Sequence, residues 1–198
     1  MKKILFLSAL FIFGFASCSK DDDPSITDEG VVINNVRWAT RNLDYPGTFA
    51  PYPHSAGRLY QWGTLDGVTH HWPSIGEVTN WNNSDDRVAW TFANDPCPTG
   101  WRVPTSHELG LLISAGSVWR MYNDTYGFFL GTEPNQIFLP ITSHRGLSGI
   151  HAVGGYYWSR TPSSSPNRAW SLRILHQQQI RLQSSTTVIG MNIRCVAR

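Results

Sequence analysis

Lysine disappears from this chain after residue 20, and acids are scarce beyond it: residues 31–198 carry thirteen Arg against nine Asp or Glu, a surplus of four. That surplus is modest, the arginines form no run, and no interleaving of basic and aromatic residues marks a nucleic-acid groove, so a nucleic-acid partner is not expected. No apolar stretch near the N-terminus reaches the ~20 residues a membrane-spanning helix needs; residues 4–15 supply only twelve. Catalytic signatures are missing as well. There is no Gly-x-Ser-x-Gly elbow, no zinc-binding His-Glu-x-x-His and no phosphate-cradling glycine loop. A glycosidase needs two carboxylates at a set spacing, and nothing among the nine acids points to such a pair. Catalysis is therefore not expected, and no internal repeat is present.

What is there begins at the N-terminus. Lys2 and Lys3 precede the apolar run, and Ala16-Ser17 follow it as small residues just before Cys18, the order of a secretion signal. A signal ending at Ala-Ser before Cys resembles the lipobox of bacterial lipoproteins, with Phe15 standing where leucine is usual. The resemblance implies that Cys18 is the lipidated N-terminus of the mature chain. Ser19-Lys20-Asp21-Asp22-Asp23 resembles the acidic export signal of Bacteroides-type lipoproteins, which implies a lipid anchor in the outer membrane with the protein facing the cell exterior. Residues 1–17 are then a signal peptide and residues 18–30 an acidic, polar tether. The rest, residues 31–198, has the length of one domain.

If the lipid takes Cys18, Cys97 and Cys195 are the cysteines that remain in an oxidising compartment. Pairing is expected there and would stabilise by up to ~4.7 kcal/mol for a loop of about a hundred residues; two buried free thiols are the alternative. Nine Trp and seven Tyr are many for this length. Rings stack on sugars and also fill cores, and most of these are expected in the core.

Asn34-Asn35 between two β-prone runs predicts an opening hairpin. Residues 43–96 lack sustained periodicity and read as mostly irregular. Pro104 and the capping box Thr105-Ser106-His107-Glu108 predict a helix carrying Leu109, Leu112 and Ile113, stopped at Gly116. Strands are expected at residues 155–160, 169–174, 180–182 and 188–197, with Trp170, Leu172 and Ile174 on one face and Met191, Ile193, Cys195 and Ala197 on another. Residues 163–167 form a turn.

Asn94-Asp95-Pro96-Cys97-Pro98-Thr99-Gly100-Trp101-Arg102-Val103-Pro104-Thr105 is the most distinctive stretch. In order around it lie Val36-Arg37-Trp38-Ala39-Thr40-Arg41-Asn42-Leu43, Tyr60-Gln61-Trp62-Gly63, Ile137-Phe138-Leu139-Pro140 with Arg145-Gly146, Gly155-Tyr156-Tyr157-Trp158-Ser159, and Ile193-Arg194-Cys195-Val196. Together these resemble the Fibrobacter succinogenes major paralogous domain, a family of secreted and lipid-anchored proteins, over residues 31–198. The resemblance implies an α+β, C-type lectin-like fold: mostly antiparallel strands, one or two helices, and long irregular loops that carry the ligand site. It implies no reaction and no cofactor. Residues 103–108 also resemble formylglycine-generating enzymes, whose copper is held by a close C-terminal cysteine pair; here Cys195 stands alone.

Glu133-Pro134-Asn135 matches the calcium tripeptide of mannose-type lectins, but the carboxylates needed for six or more oxygen ligands are missing, so a turn before a strand is expected and no metal. His70-His71 point to opposite faces of any strand, and Asp85-Asp86 after Asn82-Asn83 lacks the Asp-x-Asp-x-Asp-Gly pattern. A calcium-independent site is expected on the loop-rich surface of residues 117–154, where Trp119, Tyr122 and Tyr126 supply rings and Glu133, Asn135 and Arg145 supply polar groups. The function expected is that of a non-catalytic surface lipoprotein binding a glycan or a protein partner, as an adhesin or an accessory to polysaccharide capture. The alternative is a structural module of a cell-surface assembly with no small ligand.

Overall fold

A computed structural model describes residues 27–68, 87–146, 149–151, 154–175 and 179–198. Cys18, His70-His71 and Asp85-Asp86 lie outside them.

The chain opens with the expected hairpin. β1 (Val31–Ile33) and β2 (Val36–Trp38) pair antiparallel, and Asn34 and Asn35 turn between them at φ 47° and 63°, a left-handed conformation asparagine tolerates well. Two short strands, β3 (Leu59–Gln61) and β4 (Gly67–Val68), interrupt the irregular region, and β5 (Trp101–Arg102) leads to the helix α1 (Ser106–Ser114). The capping box closes both ways: Thr105 Oγ1 accepts from the Glu108 amide, and the Glu108 carboxylate accepts from the Thr105 amide. Arg102 grips that same carboxylate with two bonds of 2.9 and 2.6 Å. Burial alone would raise the Glu108 pKa, but the guanidinium and the Thr105 donors outweigh it and take it down to about 2.

After α1 come β6 (Ser117–Tyr122), β7 (Thr125–Thr132) and β8 (Asn135–Pro140), then β9 (His144–Gly146) and β10 (Gly149–His151). β11 (Gly155–Pro162), β12 (Arg168–Leu175), β13 (Gln179–Thr186), β14 (Gly190–Met191) and β15 (Val196–Ala197) complete the chain. The sheets are β1-β2-β15-β5, β10-β9-β14-β3-β4, β11-β12-β13 and β6-β7-β8. Pairings are antiparallel in all four. Among the described residues, with 47% strand, 6% helix and one helix, the architecture is β-rich. The expectation of an α+β, C-type lectin-like fold is thereby corrected. The capping box nucleates one nine-residue helix, and residues 117–140, expected as loops, are instead strands rich in aromatic and aliphatic residues joined by tight turns.

Two cores are fed by alternate residues of the same strands, because successive side chains of a strand face opposite ways. Tyr156 and Trp158 of β11 join one cluster with Trp62, Trp90, Met191, Ile193 and Cys195; Tyr157 joins the other with Trp38, Leu109, Leu112, Phe128 and Leu172. Indole N–H groups tie the sheets together: Trp158 donates to the Tyr60 carbonyl and Trp62 to the Ser159 carbonyl, both at 2.8 Å. Of the seven described tryptophans, Trp38, Trp62, Trp90 and Trp158 are buried and the other three half-buried, so the aromatic richness is mainly structural. A Cys97–Cys195 disulfide joins the loop before β5 to the chain just before β15.

Asp28 and Arg194 fix the ends of the fold. Asp28, buried, accepts from the Gly30, Thr40 and Arg41 amides and the Thr40 hydroxyl. The hydrogen bonding of the domain therefore includes Asp28, a residue of the expected tether. Arg194 is fully buried and, among the described residues, has no carboxylate in hydrogen-bond contact; its guanidinium donates to Asn42 Oδ1, the Ala39 carbonyl and the Phe138 carbonyl. Loss of solvent lowers its pKa to about 10, and the same burial pushes the neighbouring Tyr157 phenol up to about 12.

Candidate functional site

The β6–β7 hairpin concentrates exposed apolar side chains. Asn123 and Asp124 form its turn at φ 44° and 59°, a pair suited to a two-residue loop, and the register sets Trp119 opposite Phe128 and Met121 opposite Tyr126. Alternation puts Trp119, Met121 and Tyr126 on the face that also carries Phe128 and Leu130. The inner end of that face is core. Its outer end projects beyond the core: Tyr126 is 51% and Met121 56% exposed.

Trp119 spans the boundary. It packs edge-on against Phe128 at 5.1 Å and lies parallel to Tyr126 at 5.7 Å, the planes 5° apart. This is a diagonal cross-strand pair, whose inner ring is anchored and whose outer ring is presented to solvent. The opposite face carries Val118, Arg120 and Tyr122. Tyr122 meets His54 edge-on at 5.7 Å, His54 stacks on Tyr52 at 5.3 Å, and the Asn123 amide lies 3.4 Å from His54 Nδ1. Gly127 allows the close fit between β7 and β8: a Cβ there would lie 2.3 Å from the Leu139 carbonyl oxygen and 2.6 Å from the Phe138 ring.

The six residues expected to form one site fall in three places. Trp119, Tyr122 and Tyr126 share the hairpin, although Tyr122 faces the other way. Glu133 and Asn135 flank the β7–β8 turn at the far end of β7, six residues beyond Tyr126, about 20 Å along a strand. There the tripeptide is a turn before a strand, and Glu133 accepts a bond from Gln136. Arg145 sits on β9 in another sheet, opposite Ile150 and Gly190. Among the described residues, no three His, Cys, Asp or Glu cluster as metal ligands would.

Sequence reasoning passed over Met121, Asn123, Tyr52 and His54. The signal for the first two was present: Asn123-Asp124 between two β-prone runs has the same form as Asn34-Asn35. Tyr52 and His54 reach the hairpin through a long-range contact that no local pattern encodes. The perturbed carboxylates serve the fold. Burial raises the pKa of Asp95, and the Cys97 and Val103 amides that it accepts from pull it back.

Comparison with known proteins supplies no relative: no family model matches the chain, and no curated protein or solved structure matches it.

Proposed function

We propose that this chain is a non-catalytic lipoprotein of the outer cell surface that captures a glycan or a protein partner through the rings of the β6–β7 hairpin. The observation that carries this reading is the parallel Trp119–Tyr126 pair, with the outer ring half exposed and the inner ring seated on the core. A rigid, pre-placed ring offers a large apolar contact at small entropic cost, which suits both a sugar C–H face and a partner's apolar side chain. Lipidation at Cys18 holds the protein to the membrane, and the acidic tether sets it away from the bilayer. The motifs resembling the Fibrobacter succinogenes major paralogous domain agree with an exported, anchored protein. The alternative, a structural module without a small ligand, draws on the four buried tryptophans.

A glycan array probed with the soluble chain from residue 28 onward is the test. Tyr126→Ala should weaken the signal of a glycan held on the hairpin about tenfold or more, the loss of one anchor residue, while leaving the melting temperature nearly unchanged. Trp119→Ala should lower both binding and stability. Binding that survives Tyr126→Ala removes the hairpin from the site. Intact mass of the membrane-extracted protein checks the anchor: the diacyl addition should be present, and absent in Cys18→Ser.

A further inference from the structure

Beside α1 the surface opens into a groove of about 600 Å³, within the roughly 300–1,000 Å³ of small-ligand sites. Trp170 and Leu182 form its strand wall. The register sets Leu182 opposite Leu172 and Trp170 opposite Ser184, so Trp170 and Leu182 are diagonal neighbours on the sheet face that bears the helix. Gly110 lies in the helix wall, with Ser106 and His107 one turn before it and Ser114 one turn after it.

Gly110 has a helical backbone, and an added Cβ would meet only Leu182 Cδ1, at 3.8 Å, an ordinary contact. Neither conformation nor crowding requires glycine there, and glycine weakens a helix interior relative to alanine. Its effect is to leave the helix bare opposite Leu182, so that the groove stays open.

Among the described residues the lining contains no Asp, Glu, Lys or Arg, which gives an ionic ligand no partner there. It sets a tryptophan and leucines along the middle and hydroxyl and imidazole groups at the ends, Ser106 and Ser114 being eight residues and about 12 Å apart along the helix. Ser114 Oγ donates to the Leu111 carbonyl and accepts from Asn34 Nδ2, keeping one lone pair for a further donor. A molecule with an apolar face and hydroxyl edges matches this pattern.

We propose that the groove is a binding site for a neutral saccharide, a pyranose ring lying on Trp170 with its hydroxyls reaching Ser106, His107 and Ser114. The site is on a different sheet from the hairpin rings and does not rest on the hairpin reading. Calorimetry and saturation-transfer NMR on the full chain, purified in a non-glycosidic detergent, would use maltohexaose, cellohexaose, xylohexaose and mannohexaose as probes. At least one should bind. Gly110→Leu, which fills the groove, should weaken that binding about tenfold or more; Gly110→Ala should keep it within about twofold. If Gly110→Leu does not fold, Trp170→Ala carries the same test. The proposal is overturned if none of the four binds or if binding persists with the groove filled.

Discussion

Removing the Cys97–Cys195 bond should cost this protein a large part of its stability. The bond closes a loop with a sequence separation of 98, for which the loss of loop-closure entropy in the unfolded chain gives about 4.7 kcal/mol. That figure is a ceiling, because an unfolded chain that keeps residual structure regains less entropy; the folded-state bonds that also hold the loop are not the reason. Asp95 accepts from the Cys97 and Val103 amides, the Pro96 carbonyl accepts from Gly47, and the Arg198 amide donates to Gly100. These contacts persist in the folded state when the sulfurs are parted, so they do not lessen the entropy regained by the unfolded chain; residual structure in that chain does. A loss of about 3–4 kcal/mol is therefore expected, a fall in Tm of about 6–16 °C at 2–4 °C per kcal/mol for a domain of this size. Calorimetry of the Cys97→Ala, Cys195→Ala protein against the oxidised parent measures it. Cys97 and Cys195 are 7% and 0% exposed, so the paired alanine variant leaves no buried thiol to complicate the comparison. A double variant that melts within 2 °C of the parent, about the effect of a fraction of 1 kcal/mol, would refute the entropic argument.

Glu108, held near pKa 2 by Arg102 and Thr105 against the burial that would raise it, contributes stability that is present above its unfolded pKa of about 4.3 and lost as pH falls toward 2. With solvent screening allowed for, about 1 kcal/mol is expected; denaturant midpoints of Glu108→Gln and parent should converge between pH 4.5 and 2, and parallel curves would remove the pair from the acid response. Arg194→Met strands Asn42 Oδ1 and the Ala39 and Phe138 carbonyls in the core and should destabilise by about 3–5 kcal/mol in urea, with a loss under about 1 kcal/mol meaning that other donors replace the guanidinium.

Where the chain's structure is set by neighbours in sequence, it could be read from the sequence. Asn34-Asn35 imposes a turn, Thr105 and Glu108 start a helix, and the alternation of Trp170, Leu172 and Ile174 declares a strand with one face inward, because each depends on contacts a few residues apart. β14 and β15 show the opposite case. Each is two residues long, too short for any period, and each exists because strands far back in the chain receive it: β14 pairs with β3, and β15 with β2 and β5. One continuous strand over residues 188–197 was the natural reading of the alternation, and the break falls at Asn192, whose amide is taken by the Ala56 and Arg58 carbonyls.

The same division explains the site. Trp119, Tyr122 and Tyr126 were legible as rings, but which face each takes depends on register, and register is fixed by the Asn123-Asp124 turn that had been passed over. A two-residue turn sets Trp119 opposite Phe128, and that pairing decides that Trp119 is half core while Tyr126 is displayed; a shift of one residue would exchange their faces. Arg194 carried no signal of its role at all. Its partners include two backbone carbonyls and one amide oxygen, from residues 39, 42 and 138, and the Tyr157 hydroxyl, and neutral acceptors leave no complementary charge in the sequence for a reader to find. A carboxylate partner would have been visible as a pair; carbonyls are supplied by every residue, so only the fold selects which ones a buried guanidinium meets.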